Sequence, residues 1–367
     1  MNILFTCGGT AGHINPAVAL ARMFREREGA NILFVGADGG METRLVPKEG
    51  MELKTVTITN FRRSLTPAAI GHNVGTLANM VKSDRQAKAI LRDFKPDLVV
   101  GTGGYASYPV VKAAAKMGIP TAVHESNAVP GLTTKALSRV CDVVMVGFAE
   151  SKEHYDDPGK VVVTGTPVRG DFFQYTRQEA REKLGFTDDR PLVVSFFGSL
   201  GASVMNGYVT VLLSRAIDRG APFRWIHGGG RNYSSILAGL GGKSADGIEV
   251  REYIYDMPLV MAAADLVICR SGASTISELA AIAKPSILIP SPNVTADHQT
   301  KNAKVLSNAG GAVLVPEKEC DPEGLYQLVS GLLQSPEKRK EMSLALSRLA
   351  IPDANEKIYE TLKGLLR

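Results

Sequence analysis

Five stretches of this chain set small residues beside polar ones in a way that could hold phosphate or sugar. The first, Cys7-Gly8-Gly9-Thr10-Ala11-Gly12-His13-Ile14-Asn15-Pro16, directly follows the apolar run Ile3–Thr6. Glycines let the backbone approach a ligand, and the N-terminus of a following helix offers free N–H groups with partial positive charge. Asn15 suits a helix N-cap and Pro16 the first helical position, so the helix is expected to start there. The order Gly-Gly-x-x-Gly is not the GxGxxG of nicotinamide-binding loops, which disfavours a dehydrogenase although Asp38 lies just past the second apolar run. Taken alone, this loop reads equally well as a tight turn that needs only small residues.

The second stretch, Val99-Val100-Gly101-Thr102-Gly103-Gly104-Tyr105-Ala106-Ser107, has the same form. Two such turns on one sheet edge favour a diphosphate more than either does separately, with tight packing as the competing reading. The third, Val194-Ser195-Phe196-Phe197-Gly198-Ser199-Leu200-Gly201-Ala202-Ser203, offers the Ser199 hydroxyl to a phosphate oxygen. In the fourth, Ile268-Cys269-Arg270-Ser271-Gly272-Ala273-Ser274-Thr275-Ile276-Ser277-Glu278, a carboxylate lies early in a helix. Glu278 there either complements the helix dipole or grips two ribose hydroxyls. The fifth, Asp297-His298-Gln299-Thr300-Lys301-Asn302-Ala303, is a polar helix start that could read sugar hydroxyls.

The elements that position these stretches alternate along the chain. Apolar strands are expected at Ile3–Thr6, Ile32–Val35, Leu98–Val100, Thr121–Val123, Val143–Val146 and Val161–Val163, and a second series at Leu192–Phe197, Arg224–Ile226, Leu266–Ile268, Ser286–Ile289 and Ala312–Val315. Helical spacing lies between them, as in Val18, Ala21 and Phe24. Near-continuous apolar strands separated by helices imply parallel sheets covered on both faces. Two series imply two Rossmann-like, doubly wound α/β domains, with ligands beyond the carboxyl ends of the strands and a functional cleft where the two face each other. The joint Thr164-Gly165-Thr166-Pro167-Val168-Arg169 marks the boundary, giving domains 1–165 and 166–351. The last helix, about 352–367, is expected to pack back on the first domain.

A chain of 367 residues with 44% hydrophobic and 22% charged residues fits two soluble lobes with real cores. Cys7, Cys141, Cys269 and Cys320 are far apart and form no CxxC pair, so neither a zinc site nor a disulfide framework is expected. The start reads as a strand rather than a signal peptide, and no apolar run is long enough to span a bilayer. Residues 60–96 carry seven basic against two acidic side chains, an excess equal to the net charge of +5 of the whole chain. Such a patch points to an anionic partner. Nucleic acid is disfavoured, because no stacking aromatics or known module accompany the charges.

Taken together, the stretches resemble the MurG family of peptidoglycan glycosyltransferases. The resemblance rests on Gly8-Gly9-Thr10-Ala11-Gly12-His13, Gly103-Gly104-Tyr105, His124-Glu125-Ser126-Asn127-Ala128-Val129-Pro130-Gly131, Thr164–Arg169, Gly198–Ala202, Arg270–Ala273 with Glu278, and His298-Gln299 with Asn302-Ala303, in the family's order and over nearly the whole chain. Phe197 and Leu200 stand where the family usually has glycine and glutamine, and Ala11 where glycine is common. The resemblance implies a GT-B architecture and transfer of N-acetylglucosamine from UDP-N-acetylglucosamine to lipid I, at the cytoplasmic face of the bacterial membrane. Other sugar-nucleotide enzymes of that architecture, a diacylglycerol glucosyltransferase or a UDP-N-acetylglucosamine epimerase, are the nearest alternatives, and a noncatalytic nucleotide-sugar sensor is another.

Carried over by motif, the resemblance assigns Glu278 to the ribose, Ile254 to the uracil, and Arg169 and Ser199 to the nucleotide and diphosphate. It assigns Arg270, Ala273, Ser274 and Thr275 to the phosphate and sugar, Gln299 to the sugar hydroxyls, and Asn127 with Thr10, Ala11 and Gly12 to the sugar from the other lobe. Gly9, Gly103, Gly104 and Tyr105 would meet the acceptor's diphosphate. Inversion at the donor carbon requires a base for the acceptor hydroxyl. His13 is the leading candidate, against a reading in which it caps a helix or binds phosphate, and His124 and Glu125 are held in reserve. No Asp-x-Asp pair closes a strand, so neither a metal nor a cofactor is expected. Leu65, Ile70, Leu77, Met80 and Val81, flanked by Arg62, Arg63, Lys82, Arg85 and Lys88, would touch an anionic leaflet, unless they form an ordinary amphipathic helix facing its own sheet.

Overall fold

The structure, a computed structural model, describes residues 1–59, 66–198 and 202–366, without the side chains of Ala11, residues 67–75, Leu77, Ala78 and Thr295. Arg62, Arg63, Leu65, Ser199 and Leu200 therefore lie outside the described residues, as do the side chains of Ala11, Ile70 and Leu77. The chain forms two compact units, one from Met1–Val168 with Ile351–Arg367 and one from Arg169–Ala350.

In the first unit the strands are β1 (Asn2–Thr6), β2 (Asn31–Ala37), β3 (Glu52–Val56), β4 (Leu98–Gly101), β5 (Thr121–Glu125), β6 (Val143–Val146) and β7 (Val161–Val163). They form one sheet in the order β3-β2-β1-β4-β5-β6-β7, every pair parallel. Ile3 lies opposite Ile32 on one side and Leu98 on the other. Because side chains alternate along a strand, Ile3 and Phe5 enter the layer of helices α1 (Ala11–Glu28), α2 (Glu42–Lys48) and the last helix of the chain (Ala354–Gly364). Leu4 enters the opposite layer, with α3 (Pro67–Phe94), α4 (Ser107–Lys116) and α5 (Leu132–Leu137). Both faces are thus apolar, as the continuous hydrophobic strands require.

The second unit repeats the scheme with β8 (Leu192–Phe196), β9 (Arg224–Gly228), β10 (Ile248–Arg251), β11 (Leu266–Cys269), β12 (Ser286–Leu288) and β13 (Ala312–Leu314). Their order is β10-β9-β8-β11-β12-β13, again parallel. The helices are α6 (Arg177–Lys183), α7 (Ser203–Asp218), α8 (Tyr233–Leu240), α9 (Met257–Ala263), α10 (Ala273–Ala281), α11 (His298–Asn308), α12 (Pro322–Gln334) and α13 (Pro336–Leu349). Val193, Trp225, Ile268 and Ile287 of the sheet pack with Met205, Val209 and Leu213 of α7 and Val329 of α12.

Two strands escape the sequence pattern. Both β3 and β10 are edge strands, and their sequences ELKTV and IEVR are half polar, since an edge buries less than the centre of a sheet. A second correction concerns α1, which begins at Ala11 with Thr10 as its cap residue, so that Asn15 and Pro16 lie inside it. The first turn closes ahead of the proline, His13 N and Ile14 N both bonding Thr10 O at 3.1 and 3.2 Å. Pro16 then forfeits only the bond to the carbonyl four residues back, that of Gly12. No helix among the described residues is long and apolar enough to cross a membrane.

Candidate functional site

In each parallel sheet all carboxyl ends share one edge, and the polar loops collect there. In the first unit, β1 hands the chain to Gly8, Gly9 and Thr10, and α1 carries His13 back beside them. His13 Nδ1 lies 2.9 Å from the Gly8 carbonyl oxygen. A carbonyl only accepts, so Nδ1 carries a proton, and in the neutral ring the lone pair then lies on Nε2, which is the tautomer a general base needs. Thr10 Oγ1 is 3.4 Å from the same Nδ1, and the Thr102 hydroxyl donates to the His13 carbonyl at 2.7 Å.

The second glycine loop is shaped to press on the first. Gly103 has φ +105°, and a Cβ there would stand 2.7 Å from His13 Cδ2. At Gly104, φ +82°, a Cβ would meet the Gly8 carbonyl oxygen at 2.2 Å. Tyr105 is half-buried beside them, and burial, with the nearby Glu42, raises its phenol above the usual range. The amide of Gly9 is not free for a phosphate, because it donates to Glu42 Oε2 at 3.3 Å.

The reserve bases, His124 and Glu125, both bond within the first unit. His124 is fully buried on β5 and its Nε2 donates to the Gly165 carbonyl at 2.9 Å. Burial also lowers its pKa. Glu125 spends Oε1 on the backbone and side-chain amides of Asn127, at 3.0 and 2.8 Å, and Oε2 on Gly131 N at 3.0 Å. Bonded in this way, the strand-end pair braces the loop that carries Asn127.

In the second unit the loops after β8, β11 and β12 enclose a cavity of about 360 Å³, lined by Phe197, Ala202, Ser203, Arg270, Ser291 and Gln299 among others. Gln299 Oε1 accepts from Ser291 N at 2.9 Å, which turns its NH₂ group into the available donor. Arg270 lines the cavity, but its guanidinium holds the wall: Nη1 donates to the Ile289 and Pro290 carbonyls at 3.0 and 3.1 Å, and Nη2 bonds Glu317. Its plane lies over the Phe197 ring, 5.7 Å from the centroid. Phe197, the departure from the family pattern, is only 5% exposed and belongs to the core.

Ala273, Ser274 and Thr275 form the first turn of α10, where backbone N–H groups are unbonded within the helix. Ser274 Oγ is buried and has no hydrogen-bond partner among the described residues. Five residues after Ala273, Glu278 has its pKa raised to about 7, burial outweighing the Arg169 charge that lowers it, with Asp171 pushing the same way as burial. Arg169 Nε is 3.6 Å from Asp171 Oδ1, and its guanidinium lies 5.4 Å from the Phe172 ring centroid. Ile254 is buried against the backbone of Gly228.

On α3, Ser83, Ala87 and Leu91 are buried at four-residue spacing, so this stripe faces the sheet. Val81, Lys82 and Arg85 are exposed and Met80 is half-buried. Lys88 pairs with Asp84 at 2.7 Å. The sequence pattern did not single out Glu42, Thr102, Asp171 or Glu317, all of which brace a residue that it did single out. Their contacts run between segments far apart in the chain, and only Asp171, two residues past Arg169, carried a local signal.

Residues 3–146 match the glycosyltransferase family 28 N-terminal domain, and residues 192–358 match the family 28 C-terminal domain. The chain is 42% identical over its full length to the UDP-N-acetylglucosamine–N-acetylmuramyl-(pentapeptide) pyrophosphoryl-undecaprenol N-acetylglucosamine transferase of Acetivibrio thermocellus, covering 99% of that protein. The crystal structure of Acinetobacter baumannii MurG superposes with a TM-score of 0.81 at 28% identity, covering 99% of both chains. A UDP-GlcNAc 2-epimerase from Neisseria meningitidis bound to UDP-GlcNAc gives a TM-score of 0.65 at 16% identity, covering 99% of this chain and 100% of its own, and shows the shared fold alone. Full-length identity, both domain matches and the two parallel sheets agree: this chain belongs to glycosyltransferase family 28, among the MurG-type N-acetylglucosaminyltransferases.

Proposed function

We propose that the protein transfers N-acetylglucosamine from UDP-N-acetylglucosamine to the 4-hydroxyl of the N-acetylmuramoyl-pentapeptide of lipid I, giving lipid II with inversion at the transferred carbon. The observation that carries this reading is the full-length kinship with transferases of that name. The tautomer of His13 supports the chemistry. Nε2 of His13 takes the proton of the acceptor hydroxyl as its oxygen bonds to the anomeric carbon. The bond from that carbon to the donor's β-phosphate breaks on the opposite face, and the electron pair leaves with UDP. A base poised in this way is needed because a sugar hydroxyl is a weak nucleophile at neutral pH.

The second unit holds the donor. The N–H groups of Ala273, Ser274 and Thr275 stabilise the charge that develops on the departing diphosphate, with Ser199 as a further donor. Glu278 accepts from the ribose hydroxyls, Arg169 lies near the nucleotide, Ile254 borders the uracil, and Gln299 donates to the sugar. Arg270 keeps the wall of the cavity in place. From the first unit, Asn127 and the Thr10–Gly12 turn contact the sugar. Gly103, Gly104 and Tyr105 meet the acceptor's diphosphate, and the exposed Val81, Lys82 and Arg85 meet an anionic leaflet at the cytoplasmic face of the membrane.

The test is transfer of label from UDP-N-acetylglucosamine to purified lipid I or, in parallel, to diacylglycerol. Labelled lipid II is expected from the first and nothing from the second. Transfer only to diacylglycerol, or conversion of the nucleotide sugar without any transfer, overturns the assignment.

A further inference from the structure

The side chain of Glu42, the first residue of α2, is fully buried in the first unit although it is a carboxylate. Backbone closes around it on three sides. A Cβ at Gly8 would lie 2.8 Å from Oε1, one at Gly40 2.4 Å from the same atom, and one at Gly36 2.3 Å from Cγ. No side chain larger than hydrogen fits at these three positions while Glu42 keeps its place. Its oxygens are divided between two amides. Oε1 accepts from Ala37 N at 2.7 Å and Oε2 from Gly9 N at 3.3 Å.

The amide of Gly9 and the carbonyl of Gly8 belong to one peptide plane, and in a trans peptide they point in opposite directions. With the N–H turned to Glu42, the C=O must face away from it, and there it meets His13 Nδ1 at 2.9 Å. A buried carboxylate is thus joined to the imidazole through a single peptide group. The negative charge on the N–H side polarises the peptide and strengthens the carbonyl as an acceptor, since hydrogen bonds in series reinforce one another in a low-dielectric interior. Burying a carboxylate costs free energy unless its oxygens are hydrogen-bonded, and this site bonds each oxygen to a backbone amide.

We propose that Glu42 is the positioning residue for the base His13, acting through the Gly8–Gly9 peptide to hold the proton on Nδ1 and leave Nε2 unprotonated. The proposal rests on the assignment of His13 as base. It accounts for the glycines at 8, 36 and 40, and for a negative charge under a loop that would otherwise suit an anion. In Glu42→Gln the size is kept, but an NH₂ group must either face the Gly9 amide, donor against donor, or face that of Ala37.

The experiment compares wild type, Glu42→Gln, His13→Ala and the double variant in the lipid I transfer assay. Removing the partner that orients a metal-bound histidine costs on the order of 10–100-fold in activity, and a loss of that order is expected here. That loss is expected in the kcat of Glu42→Gln, with the donor KM and the UDP affinity within about twofold of wild type. In the His13→Ala background, Glu42→Gln is expected to cost nothing further. Loss of the same size in both backgrounds, or a kcat equal to wild type, overturns the proposal. If Glu42→Gln does not fold, Glu42→Asp, which keeps the charge but reaches less far, takes its place in the same cycle.

The nitrogen resonances of the His13 ring, assigned by its loss in His13→Ala, give a readout free of turnover. Wild type should show the Nδ1–H form and Glu42→Gln a shift toward Nε2–H; identical ring states in the two proteins overturn the proposal. Wild type that fails to transfer sugar at all would remove the functional reading instead, while the ring states would still decide whether Glu42 governs His13.

Discussion

A carboxyl group that titrates near neutrality changes its charge when a ligand prefers one form. Burial lifts Glu278 from its ordinary 4.5 to about 7. Ribose hydroxyls donate hydrogen bonds, so they favour the ionised carboxylate, and UDP binding should expel the proton. UDP affinity is therefore expected to rise between about pH 6 and 8, with proton release on binding near pH 7. Calorimetry in buffers of different ionisation enthalpy measures that proton directly. Glu278→Gln should abolish the pH dependence and weaken binding by roughly 1–3 kcal/mol. Binding that is flat with pH and indifferent to buffer removes Glu278 from the ribose. The sign for the free protein is opposite. A raised carboxyl pKa stabilises the fold below about 4.5, and that contribution is lost as pH climbs through about 7. Sequence alone marks Glu278 as a carboxylate early in a helix after a small-residue turn. It does not show the titration, which depends first on burial in the folded unit and then on the charges of Arg169 and Asp171, residues far back in the chain.

At the scale of elements, the last helix shows how the first unit is finished by the end of the chain. Ile358 and Leu362 are fully buried in the layer that also holds Ile3, Phe5 and Phe24. The Tyr359 ring lies 4.9 Å from that of Phe24, and its hydroxyl bonds Glu28 at the end of α1. Arg27 adds a pair with Glu356 at 2.8 Å, at an exposed position where such pairs contribute little. Apolar burial therefore does most of the holding. Ile358→Ala should cost roughly 2–5 kcal/mol in urea unfolding of the first unit, and a loss under about 0.5 kcal/mol, the size of an ordinary surface change, would show that the helix is peripheral.

The strands at the centre of each sheet are plain in the sequence because both of their faces are apolar, as at Leu192–Phe196. The edges β3 and β10 are not, because Glu52, Lys54, Glu249 and Arg251 break the apolar run. The start of α1 was obscured by Pro16, a residue more common at the first helical position than inside a helix. His13 was visible through its glycines. Glu42 was not, because the glycines that make room for it lie in different places, Gly8 in the loop after β1, Gly36 on β2 and Gly40 just ahead of α2.

At the scale of the whole molecule, the chain leaves the first unit after Val168 and returns at Ile351. The two passages lie side by side within that unit. A Cβ at Gly165 would fall 2.9 Å from Ile351 Cβ and 2.8 Å from Ala354 Cβ, and Asn355 Nδ2 donates to the Val168 carbonyl at 3.2 Å. His124 braces this junction through the Gly165 carbonyl, which explains a buried histidine at a strand end without chemistry. Charge is the other property that belongs to the whole chain. The net excess of +5 equals that of residues 60–96 alone. Along α3 the buried stripe Ser83, Ala87 and Leu91 satisfies the sheet, while Val81, 57% exposed, stands with Lys82 and Arg85 on the outer side. On the reading proposed above, the cations meet anionic headgroups and the valine enters the apolar layer beneath them. Each lysine or arginine near an anionic leaflet contributes about 1 kcal/mol, and salt screens the attraction within about 10 Å at 0.1 M. Wild type should therefore co-sediment with phosphatidylglycerol-rich vesicles at low salt and come off at high salt. Replacing Lys82 and Arg85 together by glutamate should weaken the partition by at least about 2 kcal/mol, roughly thirtyfold, while transfer to a short-chain, water-soluble acceptor stays at the wild-type rate. If the doubly substituted protein sediments with the vesicles as wild type does, the outer side of α3 is not what holds the enzyme to its lipid substrate.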